Sequence, residues 1–183
     1  MFIYLAKTLN KKQMNLKLIS KLFFIAIVAI FSSSCSGDDD SSDNQQLTCT
    51  EFTTPATVNG DDSYTILLAQ RLTSGGFDGT VYTFQVGAVD SNCTTAVVMQ
   101  LSIEVDNGIS GTYPVVEFFD ADLNEASGNW VVQNVANGTS QSAEEIASGS
   151  VTFTDNGNNN YAIDFSGTLL GGQQVTFSTT HTF

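Results

Sequence analysis

The sequence predicts an all-β domain, an antiparallel β-sandwich of about eight strands, and three observations predict it. From Thr57 onward, apolar residues recur at every second position. Clusters of Gly, Asn, Asp and Ser cut that alternation into short runs, and no later stretch carries a long helical period. Alternation at period two places one face of a strand on a core and the other in water, the pattern of antiparallel sheets.

Taken in order, Tyr64, Ile66 and Leu68 open the series, with Leu67 making the opposite face partly apolar. Tyr82, Phe84, Val86 and Ala88 alternate with Thr83, Gln85 and Gly87, and Val97, Met99, Leu101, Ile103 and Val105 follow. Trp130-Val131-Val132 marks a strand whose indole packs in the core. Ser142 and Glu145 have the spacing of a helix capping box, so one short helical turn ending near Gly149 is expected. The alternation is cleanest in Val151 and Phe153, then Tyr161, Ile163 and Phe165, then Val175 and Phe177. Asp155-Asn156-Gly157-Asn158 and Gly171-Gly172 divide these runs, which predicts a three-stranded meander. Earlier turns are marked at Ser74-Gly75-Gly76, Asp90-Ser91-Asn92 and Asp106-Asn107-Gly108. A closed barrel of the lipocalin type is the alternative architecture, since a terminal meander suits either.

Ahead of this domain the chain changes character. Lys17 and Lys21 precede an apolar run over residues 22–31 (LFFIAIVAIF), closed by Ser32-Ser33-Ser34-Cys35. Basic, apolar and small-residue regions in that order form an export signal, and ten apolar residues fall short of the roughly 20 that span a bilayer as a helix. Residues 1–34 are therefore read as a signal helix, with initiation at Met14 leaving out residues 1–13. Residues 35–46 are too polar to bury a core and form a flexible tether; a single β domain fills 47–183.

Apolar run, small residues, Cys35 and then Ser36-Gly37-Asp38-Asp39-Asp40 resemble the surface lipoproteins of Bacteroidota. The resemblance implies that Cys35 is acylated after cleavage and that Asp38, Asp39 and Asp40 direct the chain to the outer face of the outer membrane. Where such sites usually carry Leu, three residues before the cysteine, this chain has Ser32. The late alternating strands also resemble small uncharacterised all-β lipoproteins of that group, which implies a similar fold and no particular activity.

Charge excludes more than composition does. Five of the six basic residues lie before Cys35 and all 19 acidic residues after it. The chain from Cys35 onward thus has one permanent cation, Arg71, and a net charge of −18. Nucleic-acid binding needs Lys and Arg to displace counterions from phosphates, so it is excluded, and membrane attachment is expected through the lipid alone. A field this negative favours solubility and neutral or cationic partners.

Cys49 and Cys93 form an even pair in an oxidising compartment, which predicts a disulfide closing a loop of 44 residues. His181 is the sole histidine, read as a strand residue near the chain end; HExxH, GxSxG and a phosphate-cradling loop ending in Lys do not occur. The chain is therefore not expected to be an enzyme. Asp120, Asp122 and Asn124 offer oxygen at alternate positions, a candidate Ca²⁺ set, although Glu125 and Val131 stand where an EF-hand needs Gly and Glu. The leading expectation is a non-catalytic surface module that takes an extracellular glycan or protein, or an accessory subunit. The alternatives are a hydrolase using Asp or Glu carboxylates and a structural envelope protein.

Overall fold

The computed structural model describes residues 52–136 and 139–183, all within the unit Gln45–Phe183. The segments expected to be an export signal (1–34) and a tether (35–46), with Cys35 and Cys49, lie outside the described residues. Nine strands follow in order: β1 (Pro55–Val58), β2 (Asp61–Gly75), β3 (Thr80–Val89), β4 (Thr95–Val105), β5 (Gly111–Val116), β6 (Ala126–Asn134), β7 (Ser140–Asp155), β8 (Asn160–Leu169) and β9 (Gln174–Thr182). The all-β fold holds, with nine strands where about eight were expected.

The strands form one sheet in the order β1-β2-β3-β4-β6-β5-β7-β8-β9, and β1 pairs with both β2 and β9, so the hydrogen-bond ladder closes on itself. Pairing is antiparallel throughout except for one parallel contact between β5 and β6, Val115 opposite Ala126. The long β7 serves two neighbours in succession. Its first half pairs with β6 and its second half with β5, which lets the sheet turn a corner.

Closure is barrel-like, while the packing is that of a sandwich, with the two halves of the sheet meeting through their side chains. The Phe84 ring of β3 stacks on Phe153 of β7 at 4.8 Å between centroids. Trp130 of β6, 1% exposed, meets Phe165 of β8 and Phe177 of β9 at 6.3 and 6.4 Å. The indole is a core residue, as its strand pattern predicts. Aromatic pairs at such distances contribute about 0.5–1.5 kcal/mol beyond the area they bury.

The terminal meander forms as expected. Phe153 faces Ile163, which faces Thr179, and Phe165 faces Phe177. Gly172 adopts φ +85 in the β8–β9 turn, where Cβ-bearing residues are strained, and its N–H donates to Leu169 C=O at 2.8 Å. Alternation in β2 falters at Leu67 because a bulge intervenes: Ile66 pairs with Ala88 and Leu68 with Gly87, leaving Leu67 as the extra residue.

The expected helical turn at Ser142–Glu145 is overturned. Both residues are extended in β7, with Ser142 opposite Val132 and Glu145 opposite Asn129. Six or so residues of capping preference are worth less than a ladder that satisfies every backbone group. The acids still accept amide protons, but from other loops: Glu145 from Phe118 N–H and Glu144 from Gly171 N–H. Gly149 is a ladder residue opposite Gly167; a Cβ there would lie 2.4 Å from Ser166 O, so glycine permits β7 and β8 to approach.

Candidate functional site

The outer face of the meander carries a shallow polar concavity. Because Val151, Phe153, Ile163, Phe165, Val175 and Phe177 point inward, the residues between them point out. Register then aligns them across the strands. One row runs Thr152, Asp164, Ser178 and Thr57, on β7, β8, β9 and β1. The next runs Ser150, Ser166 and Thr176. Neighbours within a row stand about 4.8 Å apart, and the rows about 7 Å apart.

Together these side chains line a groove of about 270 Å³ whose floor is closed by Phe165 and Phe177. Six hydroxyls and one carboxylate face it, and each hydroxyl can donate and accept. Asp164 and Ser166 are exposed, and Asp164 supplies the one charge. Such a lining suits a neutral polyhydroxy ligand, whose hydroxyls need both donors and acceptors. Thr112 of β5 extends the first row by sharing a hydrogen bond with Thr152 at 2.8 Å.

A second polar cluster sits where β2 meets the β7–β8 turn. Arg71 donates through Nη1 to the Tyr161 hydroxyl and through Nη2 to Asn159 Oδ1 at 3.1 Å. Its guanidinium also lies 5.1 Å from the Tyr161 ring centre. Tyr161 in turn meets the Phe84 ring edge-on. The single cation of the domain is thus a clamp over the core's end, its ring face and acceptors supplied from within the chain. Burial, then the carboxylate of Asp155, pushes the Tyr161 phenol above its ordinary range, with Arg71 opposing.

Cys93 lies in the β3–β4 turn at φ +55, half-buried, its N–H donating to Asp90 C=O at 3.0 Å. Asp90 organises that turn by accepting from Thr94 N–H, Thr94 Oγ1 and Thr95 N–H. Asp120, Asp122 and Asn124 occupy the β5–β6 loop, where the Asp122 N–H donates to the Glu125 carboxylate at 3.1 Å and Asn124 N–H to Glu104 C=O at 2.8 Å. Those bonds shape a turn. Among the described residues no group of three His, Cys, Asp or Glu side chains is placed to hold a metal ion. His181 is half-buried on β9 opposite Tyr161, against the Phe183 ring, and burial lowers its pKa.

The groove escaped the sequence because its residues are ordinary Ser and Thr on strands. Their outward direction follows from alternation, but their lateral alignment depends on register between β7, β8, β9 and β1. Comparison with protein-family models, curated proteins and solved structures finds no match for this chain.

Proposed function

We propose that this chain is a lipid-anchored protein of the cell surface, held in the outer membrane through acylated Cys35, and that it acts as a non-catalytic binding module for a neutral extracellular glycan. The hydroxyl-lined groove across β7, β8, β9 and β1 carries this reading. Its chemistry matches polyols, and the net charge of −18 beyond Cys35 turns acidic partners away. The leader and the Asp38-Asp39-Asp40 tract support the address. Acyl chains supply the hold, since each buried methylene contributes about 0.8 kcal/mol and two chains anchor stably.

Two measurements test it. Mass spectrometry of the native protein is expected to find acylated Cys35 as the first residue, and Cys35→Ser to release the protein from membranes. On an array of neutral polysaccharides the mature chain is expected to retain at least one class, with Ser166→Trp, which fills the groove, abolishing retention. Retention unchanged by that substitution would remove the groove from the account, and no retained glycan would remove the function.

A further inference from the structure

The groove is the middle of a longer line of polar side chains. At one end Thr112 of β5 stands opposite Thr152, their hydroxyls 2.8 Å apart. At the other end the Thr57 hydroxyl donates to Asp62 Oδ1 of β2 at 2.6 Å. The first row of the groove therefore runs Thr112, Thr152, Asp164, Ser178, Thr57 and Asp62, across six strands. Five interstrand spacings give it a length of about 24 Å. Ser150, Ser166 and Thr176 lie beside its centre as a second line about 7 Å away. Thr112 and Asp62 are both exposed, so a ligand lying on the row can run on past either end.

The row has a hydrogen-bonding sense as well as a length. Thr57 gives its one hydroxyl proton to Asp62, so toward a ligand its oxygen only accepts. The carboxylates of Asp164 and Asp62 accept and do not donate. Between the two ends, Ser150, Asp164, Ser166, Thr176 and Ser178 make no side-chain hydrogen bond among the described residues, which leaves their capacity to the groove. A fitting partner donates protons at intervals along a line and brings no carboxylate against Asp164 and Asp62. A hydroxyl that has been acetylated no longer donates.

We propose that the ligand is an unbranched, unacetylated neutral polysaccharide of the extended cellulose, mannan or xylan type, laid across the strands and held by its internal rings. This rests on the glycan reading of the groove and narrows it. Rings of such a chain follow one another at close to the interstrand spacing, so successive rings meet successive strands. Their linkages rotate, which lets the chain follow a sheet twist of about 20–25° per strand. A coiled glucan curves away from a straight row and meets only a short part of it. A branched chain carries side groups into the second line, where Ser150, Ser166 and Thr176 would otherwise bond the rings.

Calorimetry of the mature chain with unbranched gluco-, manno- and xylo-oligosaccharides of increasing length tests this. In at least one series the affinity is expected to rise at least about tenfold from two rings to five, because each added ring brings further hydrogen bonds, and then to level off where the row ends. O-acetylated samples of that series are expected to bind at least about tenfold more weakly. Thr112→Val and Asp62→Asn, one at each end of the row, are each expected to cut the gain with length by about threefold or more. A general loss of structure would weaken short and long chains alike, so the gain with length reports the row itself. Affinity that is flat with length, a gain that neither variant reduces, or binding confined to branched, coiled or acetylated glycans overturns the inference and leaves the groove a glycan site. If no neutral glycan binds at all, the binding module falls and the extended chain falls with it.

Discussion

The terminal meander and the β3–β4 pair are ladders of the same closed sheet, yet they spend their apolar residues differently. In β8, in most of β9 and at Val151 and Phe153 of β7 every second residue is buried, and Ser, Thr or Asp fills most intervening positions, so one face is dry and the other wet. In β3 and β4 the runs 84–89 and 96–99 are buried on both faces. Backbone pairing cannot explain this, because both ladders are fully paired antiparallel hairpins. What differs is the solvent on the outer side. A strand that needs only one dry face can afford hydroxyls on the other, and the groove is built from that freedom. A strand with two dry faces has none.

The largest expected effect breaks the meander from within. Phe177→Ala removes a fully buried ring that meets Trp130 and leaves a cavity. It is expected to cost about 3–5 kcal/mol in urea unfolding. Thr176→Ala, one residue away and exposed, is expected to change stability by less than about 0.5 kcal/mol. Equal effects would mean that alternation does not separate dry from wet.

The comparison between regions is sharpened by placing one charge on the outer face of each. Val98→Lys puts an ammonium at a buried position on the outer face of β4, and about 3 kcal/mol or more of stability is expected to be lost. Ser166→Lys puts the same charge on the exposed lining of the groove, where solvent and Asp164 receive it, with less than about 0.5 kcal/mol lost. If Val98→Lys proved as mild as Ser166→Lys, the outer face of β3 and β4 would be open to solvent. Arg71→Met comes next in size. Losing two hydrogen bonds and the ring contact with Tyr161 is expected to cost about 1–2 kcal/mol.

The two regions also differ in how far they can be read from sequence. Val151 to Phe177 announces its strands, their inward faces and both turns, because alternation and Gly/Asn turns are local signals. Trp130 in the core was legible for the same reason. β1 and β5 were not: four residues beginning with Pro55 and six containing Pro114 are too short to show a period. Strand order was also hidden, since β5 inserts between β6 and β7 by contacts distant in sequence. The capping-box spacing of Ser142 and Glu145 misled because the same side chains serve equally well on a strand that has a partner. The groove lies at the same limit. Its residues were visible as outward-facing, but only register brings Thr152, Asp164, Ser178 and Thr57 into one row.

The smallest effects come from titration, and they separate the two ends of the sheet. Tyr64, Tyr113 and Tyr161 all have phenol pKa values raised above 10.0, in each case chiefly by burial. Asp90 and Asp61 add to the rise at Tyr64, and Asp106 at Tyr113. At Tyr161 the Arg71 guanidinium pulls the other way. A group raised in the folded state contributes stability that is fully present below its unfolded pKa and is lost as pH climbs through the folded one. Stability should therefore decline above about pH 10. His181 has the opposite sign: its pKa is lowered by burial, so its contribution is present above about pH 6.5 and lost as pH falls through the folded value. Absorbance titration of the phenols is expected to show Arg71→Met moving Tyr161 further upward while Tyr64, beside Asp90, stays in place. If both moved together, the clamp would be acting through the whole sheet instead of on the one ring it covers. If neither moved, the guanidinium would not be held over Tyr161 in solution.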